Sequence, residues 1–198
     1  MTFPDKKYSV IYADPPWSYE HGDVPQGGVD KHYSTMDIDA IKALPVGLIA
    51  DDPSVLLLWA TFPLLPEALS VIAAWGFTYK TLGFSWIKKN DNGTPFFGVG
   101  YYAKSNCEVV LLGTKGDAHK LVRSNSVSSV IFAPLKNHSQ KPSEVRSRIV
   151  QLFGDVPRIE LFGRDRVEGW DCWGNQAPTD VQRSVTRWVF EESSGGWI

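Results

Sequence analysis

Tyr8-Ser9-Val10-Ile11-Tyr12-Ala13-Asp14-Pro15-Pro16-Trp17 is the stretch on which the reading of this chain turns. Its first six residues form a near-continuous apolar run. That is the pattern of a strand covered on both faces, as in a parallel sheet flanked by helices. The run stops at a carboxylate, two prolines and an aromatic ring. Each proline fixes its own φ and lacks an N–H, so the turn is stiff and offers carbonyl acceptors without donors. An exocyclic amino group on a nucleobase carries two N–H bonds. Asp14 and a prolyl carbonyl are a matching pair of acceptors, and Trp17 is a flat surface on which a base could stack. Asp-Pro-Pro alone is an ordinary turn sequence, and a Trp after it can simply cap a core. The motif gains weight from its place at a strand's end and from partners further along the chain.

Working outward, strand-like runs recur at residues 54–60, 77–81, 84–88, 108–113, 129–133 and 158–162. Helical patterns fall between several of them. Ser34 or Thr35 is the expected cap of a helix through Ile38, Ile41 and Leu44, stopped by Pro45. Residues 64–75 form a second helix closed by Gly76, and residues 142–153 a third closed by Gly154. Alternating strands and helices predict an α/β fold: an open, doubly wound, mostly parallel sheet of about seven strands with helices on both faces. Two long loops interrupt it. Residues 18–33 are glycine-rich and end at His32-Tyr33; residues 89–106 carry Phe96, Phe97, Tyr101 and Tyr102 among four glycine and proline residues. Loops of that length inside a compact domain are commonly functional.

At 198 residues and 43% hydrophobic, the chain can bury one substantial core. A single domain over residues 1–177 is expected, with 178–198 as a tail that is partly disordered or contacts a partner. No apolar run is long enough to span a bilayer. Cys107 and Cys172 lack metal-ligand spacing, as do the four histidines, so a metal is not expected and the cysteines read as ordinary thiols of a reducing cytoplasm. Charge is unevenly distributed. Residues 1–79 hold four basic against ten acidic side chains, residues 80–148 eleven against four, and the remainder five against eight. The basic middle is a candidate phosphate-contacting surface, with Lys88, Lys89, Lys104, Lys115, Lys120 and Arg123 as the candidates.

Further signals are His138-Ser139-Gln140-Lys141-Pro142 at the start of the third helix, Ile159-Glu160-Leu161-Phe162-Gly163-Arg164 at a strand's end, and Trp173-Gly174-Asn175-Gln176. Singly, each reads as a helix start, a strand end or a turn. In this order, with Tyr33-Ser34-Thr35-Met36, Leu57-Leu58-Trp59, Trp75-Gly76-Phe77, Trp86-Ile87-Lys88 and the run from Glu108 to Gly116, the chain resembles a family of adenine-N6 methyltransferases. It is the family that includes the catalytic subunit of the eukaryotic messenger-RNA adenosine methyltransferase. The likeness runs from about Tyr8 to Gln176, and Gly169-Trp170-Asp171 resembles the bacterial and phage branch.

The resemblance implies a Rossmann-like methyltransferase of permuted order, with the catalytic motif ahead of the segment that holds S-adenosylmethionine. It implies catalytic roles for Asp14, Pro15, Pro16 and Trp17. For the cofactor it implies Asp14, Lys141 (toward the methionine carboxylate), the strand-turn Glu160, Phe162 and Gly163, and Arg164, Asn175 and Gln176 near the ribose. Substrate-side positions are Trp17, Tyr33, Trp86, Lys88 and Glu108. Only thirteen residues precede Asp14, so the cofactor's adenine is expected to be held differently, and the Arg164–Asn175 spacing is shorter than in the eukaryotic enzymes, so Asp165 and Arg166 take no role from the resemblance. The expected activity is methyl transfer to adenine N6 in DNA. The alternatives are the same reaction on RNA, or a non-catalytic scaffold that binds nucleic acid beside a partner. A homodimer or partner subunit is also open.

Overall fold

The computed structural model describes residues 3–18, 35–100, 102–136 and 140–175. Seven strands form one sheet in the order β5-β3-β4-β2-β1-β6-β7. They are β1 Tyr8–Ala13, β2 Ala50–Ala60, β3 Thr78–Lys89, β4 Cys107–Lys115, β5 Val130–Pro134, β6 Arg158–Leu161 and β7 Asp171–Trp173. β1 lies parallel between β2 and β6, and β7 parallel beside β6. β4 is antiparallel to both β2 and β3, while β3 and β5 are parallel, so a single strand runs against the rest. All six residues of β1 are buried, as its unbroken apolar run requires.

Helices α1 Ile38–Lys42, α2 Val46–Ile49 and α3 Leu65–Ala74 cover one face, and α4 Glu144–Phe153 covers the other. On the first face Ile41, Val46, Val71, Ile72 and Trp75 pack on Ile11, Leu56, Leu58 and Leu111. On the second, Val145, Ile149 and Phe153 pack with Val10, Tyr12, Leu57, Trp59 and Val110. The period of two along each strand sorts neighbouring residues between these two cores.

Several boundaries differ from the sequence reading. The two expected runs 77–81 and 84–88 merge into one strand, β3, which begins at Thr78 and whose pairing with β4 shifts between Tyr79 and Thr81 and again between Leu82 and Phe84. Gly83, which reads as a break, lies in that bulged stretch, where a Cβ would come within 3.2 Å of the Val110 carbonyl oxygen. β2 begins four residues early, through Asp51-Asp52-Pro53. β7 was not expected, because three residues carry no periodicity. The cap of α1 is Asp37, whose carboxylate accepts from the Asp39 N–H at 2.6 Å, rather than Thr35; Ser34 lies outside the described residues. Beyond Pro45 a further turn of helix, α2, continues the chain. Gly76 and Gly154 do close α3 and α4, with φ of +82° and +75°.

Candidate active site

Strands β1, β2, β3, β5, β6 and β7 all end at one edge of the sheet, and reversed β4 begins there. From β1 the chain proceeds to β2 on one side, while β6 occupies the other. This is the kind of switch point at which open α/β sheets form a crevice for ligands. Asp14 leaves β1 at that point. Alternation then decides its neighbours: Tyr12, Trp59, Glu108, Trp86 and Lys88 project from four adjacent strands toward the face covered by α4. Lys141, three residues before α4, comes down onto the same edge.

The outcome is a chain of alternating charges. Lys141 Nζ lies 3.1 Å from Asp14 Oδ1 and 3.1 Å from Glu108 Oε2, and Lys88 Nζ lies 2.5 Å from Glu108 Oε1. Two indoles wall it: Lys141 Nζ is 5.2 Å from the Trp59 ring centre and Lys88 Nζ 5.1 Å from that of Trp86. Trp59 and Trp86 meet edge to face at 6.2 Å. The Trp59 indole donates to the Tyr12 hydroxyl at 2.6 Å and that of Trp86 to the Ala133 carbonyl at 2.9 Å, so neither ring can swing.

Partial burial governs the electrostatics. For Asp14, burial pushes the carboxyl above the ordinary range; Lys141 pulls it back and the Glu108 charge adds to the rise. At Glu108 burial also opposes ionisation, but Lys141 and Lys88 outweigh it and hold the carboxyl below its usual range. Lys141 is held above the ordinary lysine range, because Asp14 and Glu108 outweigh the burial that opposes its charge. Asp14 is thus a carboxylate of raised basicity beside one of lowered basicity, the kind of separation found at acid–base sites.

The Asp-Pro-Pro-Trp turn is braced by backbone bonds. The Trp17 N–H donates to the Pro15 carbonyl at 2.9 Å and the Met36 N–H to the Pro16 carbonyl at 2.8 Å. Each prolyl oxygen keeps a second lone pair for another donor. Trp17 departs from expectation. Only 8% exposed, it packs in the core on the α1–α3 side, and its indole donates to the Trp59 carbonyl at 3.2 Å. Buried there with its N–H satisfied, the ring braces the turn from the core side. Trp86, 3% exposed, is likewise a wall.

On the other side of Asp14, the turns after β6 and β7 pack face to face. Phe162 adopts φ +63°, a strained region for a non-glycine residue, and its N–H donates to the Trp173 carbonyl at 2.5 Å. A Cβ on Gly163 would sit 2.5 Å from Cys172 Sγ, and one on Gly174 2.9 Å from the Gly163 carbonyl oxygen, so both turns need glycine for close approach. Glu160 does not face an open pocket: Arg146 of α4 grips its two oxygens at 2.6 and 2.7 Å. Arg164 is exposed, and its charge reaches Asp14. Asn175 is exposed just beyond β7. Tyr33, His138, Ser139 and Gln176, and the 178–198 tail, lie outside the described residues.

The phosphate-contact candidates divide. Lys88 is inside the charged chain, Lys89 lies over the Phe132 ring and Lys104 over that of Phe97. Lys115 pairs with Ser54 at the start of β2, on the opposite edge of the sheet, and Lys120 and Arg123 follow it there. Those three lie away from the sheet edge that carries Asp14. Sequence reasoning overlooked Tyr12, Trp59 and Arg146. The first two carried a usable signal, since they share strand parity with Asp14 and Trp86 once the register is known.

Among the described residues, no three His, Cys, Asp or Glu side chains converge on a metal-sized site. Cys107 and Cys172 are free thiols; burial and then Glu160 push Cys172 up to about 11. No helix among those residues is long and apolar enough to cross a membrane.

A mostly parallel, doubly covered sheet with Asp-Pro-Pro-Trp leaving an interior strand, β1, defines a Rossmann-like methyltransferase. The MT-A70 family pattern matches residues 8–176, and the chain belongs to that family. It is 31% identical to the type II methyltransferase M.MunI of a Mycoplasma species, over 96% of this chain and 86% of that protein. It is also 30% identical to the N(6)-adenosine-methyltransferase MT-A70-like protein of Drosophila melanogaster and 28% identical to the human N(6)-adenosine-methyltransferase catalytic subunit METTL3. Each match covers 86% of this chain but spans little more than a quarter of those longer proteins, 27% and 28%.

Proposed function

We propose that this protein transfers a methyl group from S-adenosylmethionine to the N6 amino group of adenine in DNA. The observation that carries the reading is the Asp14–Lys141–Glu108–Lys88 charge chain directly beyond the Asp-Pro-Pro-Trp turn. The amine of adenine is a weak nucleophile, because its lone pair is delocalised into the ring. Asp14 accepts one N–H and the spare lone pair of the Pro15 or Pro16 carbonyl accepts the other. Together they favour a pyramidal nitrogen and stabilise the positive charge that develops on it. The braced prolines hold these acceptors before substrate arrives, which removes an ordering cost from the reaction.

The residues fit the donor. Lys141 suits its carboxylate, the carboxylates beside Lys141 suit its cationic groups, and the Phe162–Gly163 turn with Arg164 and Asn175 suits the ribose. When bound, S-adenosylmethionine supplies an electrophilic sulfonium methyl. Lys141 has a second duty in this scheme, because its charge opposes the rise that burial imposes on the Asp14 carboxyl. After transfer, the surplus proton on nitrogen leaves to Asp14 Oδ or to water. In a duplex the target amine is base-paired, so the adenine must be flipped out or already unpaired.

DNA is favoured because the type II methyltransferase relative is matched along most of its length, whereas the adenosine methyltransferases are matched over about a quarter. The test is tritiated S-adenosylmethionine offered with matched DNA and RNA strands, followed by nucleoside analysis. Label in N6-methyldeoxyadenosine is expected. Label in RNA alone supports the RNA alternative, and tight strand binding with no label on either supports a scaffold.

A further inference from the structure

We infer that the hairpin joining β3 to β4 is a stacking platform for the nucleotides that flank the target adenine. The inference rests on the nucleic-acid reading above. β3 ends at Lys89, one residue after Lys88, and β4 begins at Cys107, one residue before Glu108, so the hairpin stands on the rim of the charged site. It displays apolar side chains to solvent: Phe97 is 58% exposed, and Val99 and Tyr102 are almost wholly so. Exposure of this kind beside an active site marks a surface with an occupant.

The display is built, not slack. The Asn90 N–H donates to the Thr94 carbonyl at 2.8 Å, the Phe96 N–H to the Lys88 carbonyl at 3.0 Å and the Gly98 N–H to the Ser105 carbonyl at 2.6 Å. Asn90 Nδ2 donates to Thr94 Oγ1 at 2.9 Å, and Thr94 Oγ1 to Asn92 Oδ1 at 2.6 Å. A Cβ at Gly98 would lie 2.7 Å from the Ser105 carbonyl oxygen and one at Gly100 would collide with that of Ala103, so the two arms close to a distance only glycine permits. A backbone ordered in this way loses little freedom on binding.

Charge identifies the occupant. Lys104 Nζ lies 5.9 Å from the Phe97 ring centre, and at the hairpin's base Lys89 Nζ lies 5.6 Å from that of Phe132, which is 61% exposed on the other face of the sheet. Of the three lysines in residues 88–107, Lys88 is committed to Glu108, which leaves Lys89 and Lys104 against one acid, Asp91. Flat rings paired with cations suit alternating bases and phosphates, since stacking accepts any base and lysine meets the backbone. An extruded adenine also leaves its neighbours unstacked, and these rings would replace the lost stacking.

The experiment measures binding of a fluorescein-labelled single strand with one central adenine, by anisotropy at several salt concentrations. F97A/Y102A is expected to bind it at least about tenfold more weakly. F97L/Y102L, which keeps apolar area without rings, should be nearly as weak, and F97W/Y102W should recover wild-type affinity. K104Q should reduce the salt slope by about 0.7. Affinity for S-adenosylmethionine by calorimetry, and kcat at saturating strand, should not change. K115Q/K120Q, on the far edge, is the unaffected control. Unchanged strand affinity in F97A/Y102A overturns the platform, as does a loss confined to self-association in sedimentation, which would make the hairpin an interface between copies. Wild-type protein that methylates no strand would bring down the functional reading and the platform with it. Methylating wild type beside a fully binding variant would bring down the platform alone.

Discussion

Replacing Lys141 with glutamine removes the cation shared by Asp14 and Glu108. Its nitrogen touches an oxygen of each at 3.1 Å, which puts the charge centres of Lys141 and Asp14 about 4 Å apart. At an effective dielectric near 20 that attraction is about 4 kcal/mol, or roughly three pH units. Glu108 keeps Lys88 at 2.5 Å and stays ionised, so Asp14 is the group that takes up a proton. Water entering the vacated space offsets part of the effect, leaving an expected rise of about one to three units. Asp14 acts as an acceptor only when ionised, so activity falls as pH drops through its pKa. The acid limb of the kcat/KM profile should therefore move to higher pH by that amount in K141Q and stay near the wild-type position in K141R, whose planar guanidinium can bridge two carboxylates. Rates are read at saturating S-adenosylmethionine, because Lys141 is also assigned to the donor's carboxylate. Thermal melts establish that the variant is folded. A folded K141Q with its acid limb at the wild-type pH would refute the account of Asp14.

Asp14→Asn keeps the shape of the side chain but removes its charge. Turnover should fall by about a hundredfold or more while calorimetric affinity for S-adenosylmethionine changes only a few-fold. Gly163→Ala forces a methyl to 2.5 Å from Cys172 Sγ and should destabilise the protein by about 1–3 kcal/mol; adding Cys172→Ala should restore most of the loss in urea titrations. Glu160→Gln breaks the buried two-pronged pair with Arg146 and should cost about 3–5 kcal/mol in the same measurement, with a smaller loss if the pair is structurally idle. Glu108 is held below the ordinary carboxyl value near 4.3, so its contribution to stability is present above that pH and lost as pH falls through its folded value. Glu108→Gln should flatten the stability curve below about pH 4.5, and an unchanged acid slope would count against the pairing.

Sequence patterns were most informative where one segment carried its own physics. β1 was legible to the residue because both its faces are buried and no alternation is needed to recognise it. α3 and α4 were legible through their apolar stripes and closing glycines. β3 was read as two strands because a glycine inside a strand looks like a break until its bulged pairing is seen. β7 is three residues long and exists only because β6 offers it an edge.

From its amino acids alone this protein is an α/β chain with a rigid acceptor turn at the end of a buried strand, since proline stiffness and apolar run length are local properties. Which charges face that turn is not local. Register across four strands puts Glu108 and Lys88 on the Tyr12 side, and the descent of the chain into α4 places Lys141 between two carboxylates. The same packing made Trp17 a core residue, exposed Phe97 and Tyr102, and carried Lys115 to the far edge. Each of those outcomes depends on contacts between segments tens of residues apart, and an energy that exists only between segments is written in none of them singly.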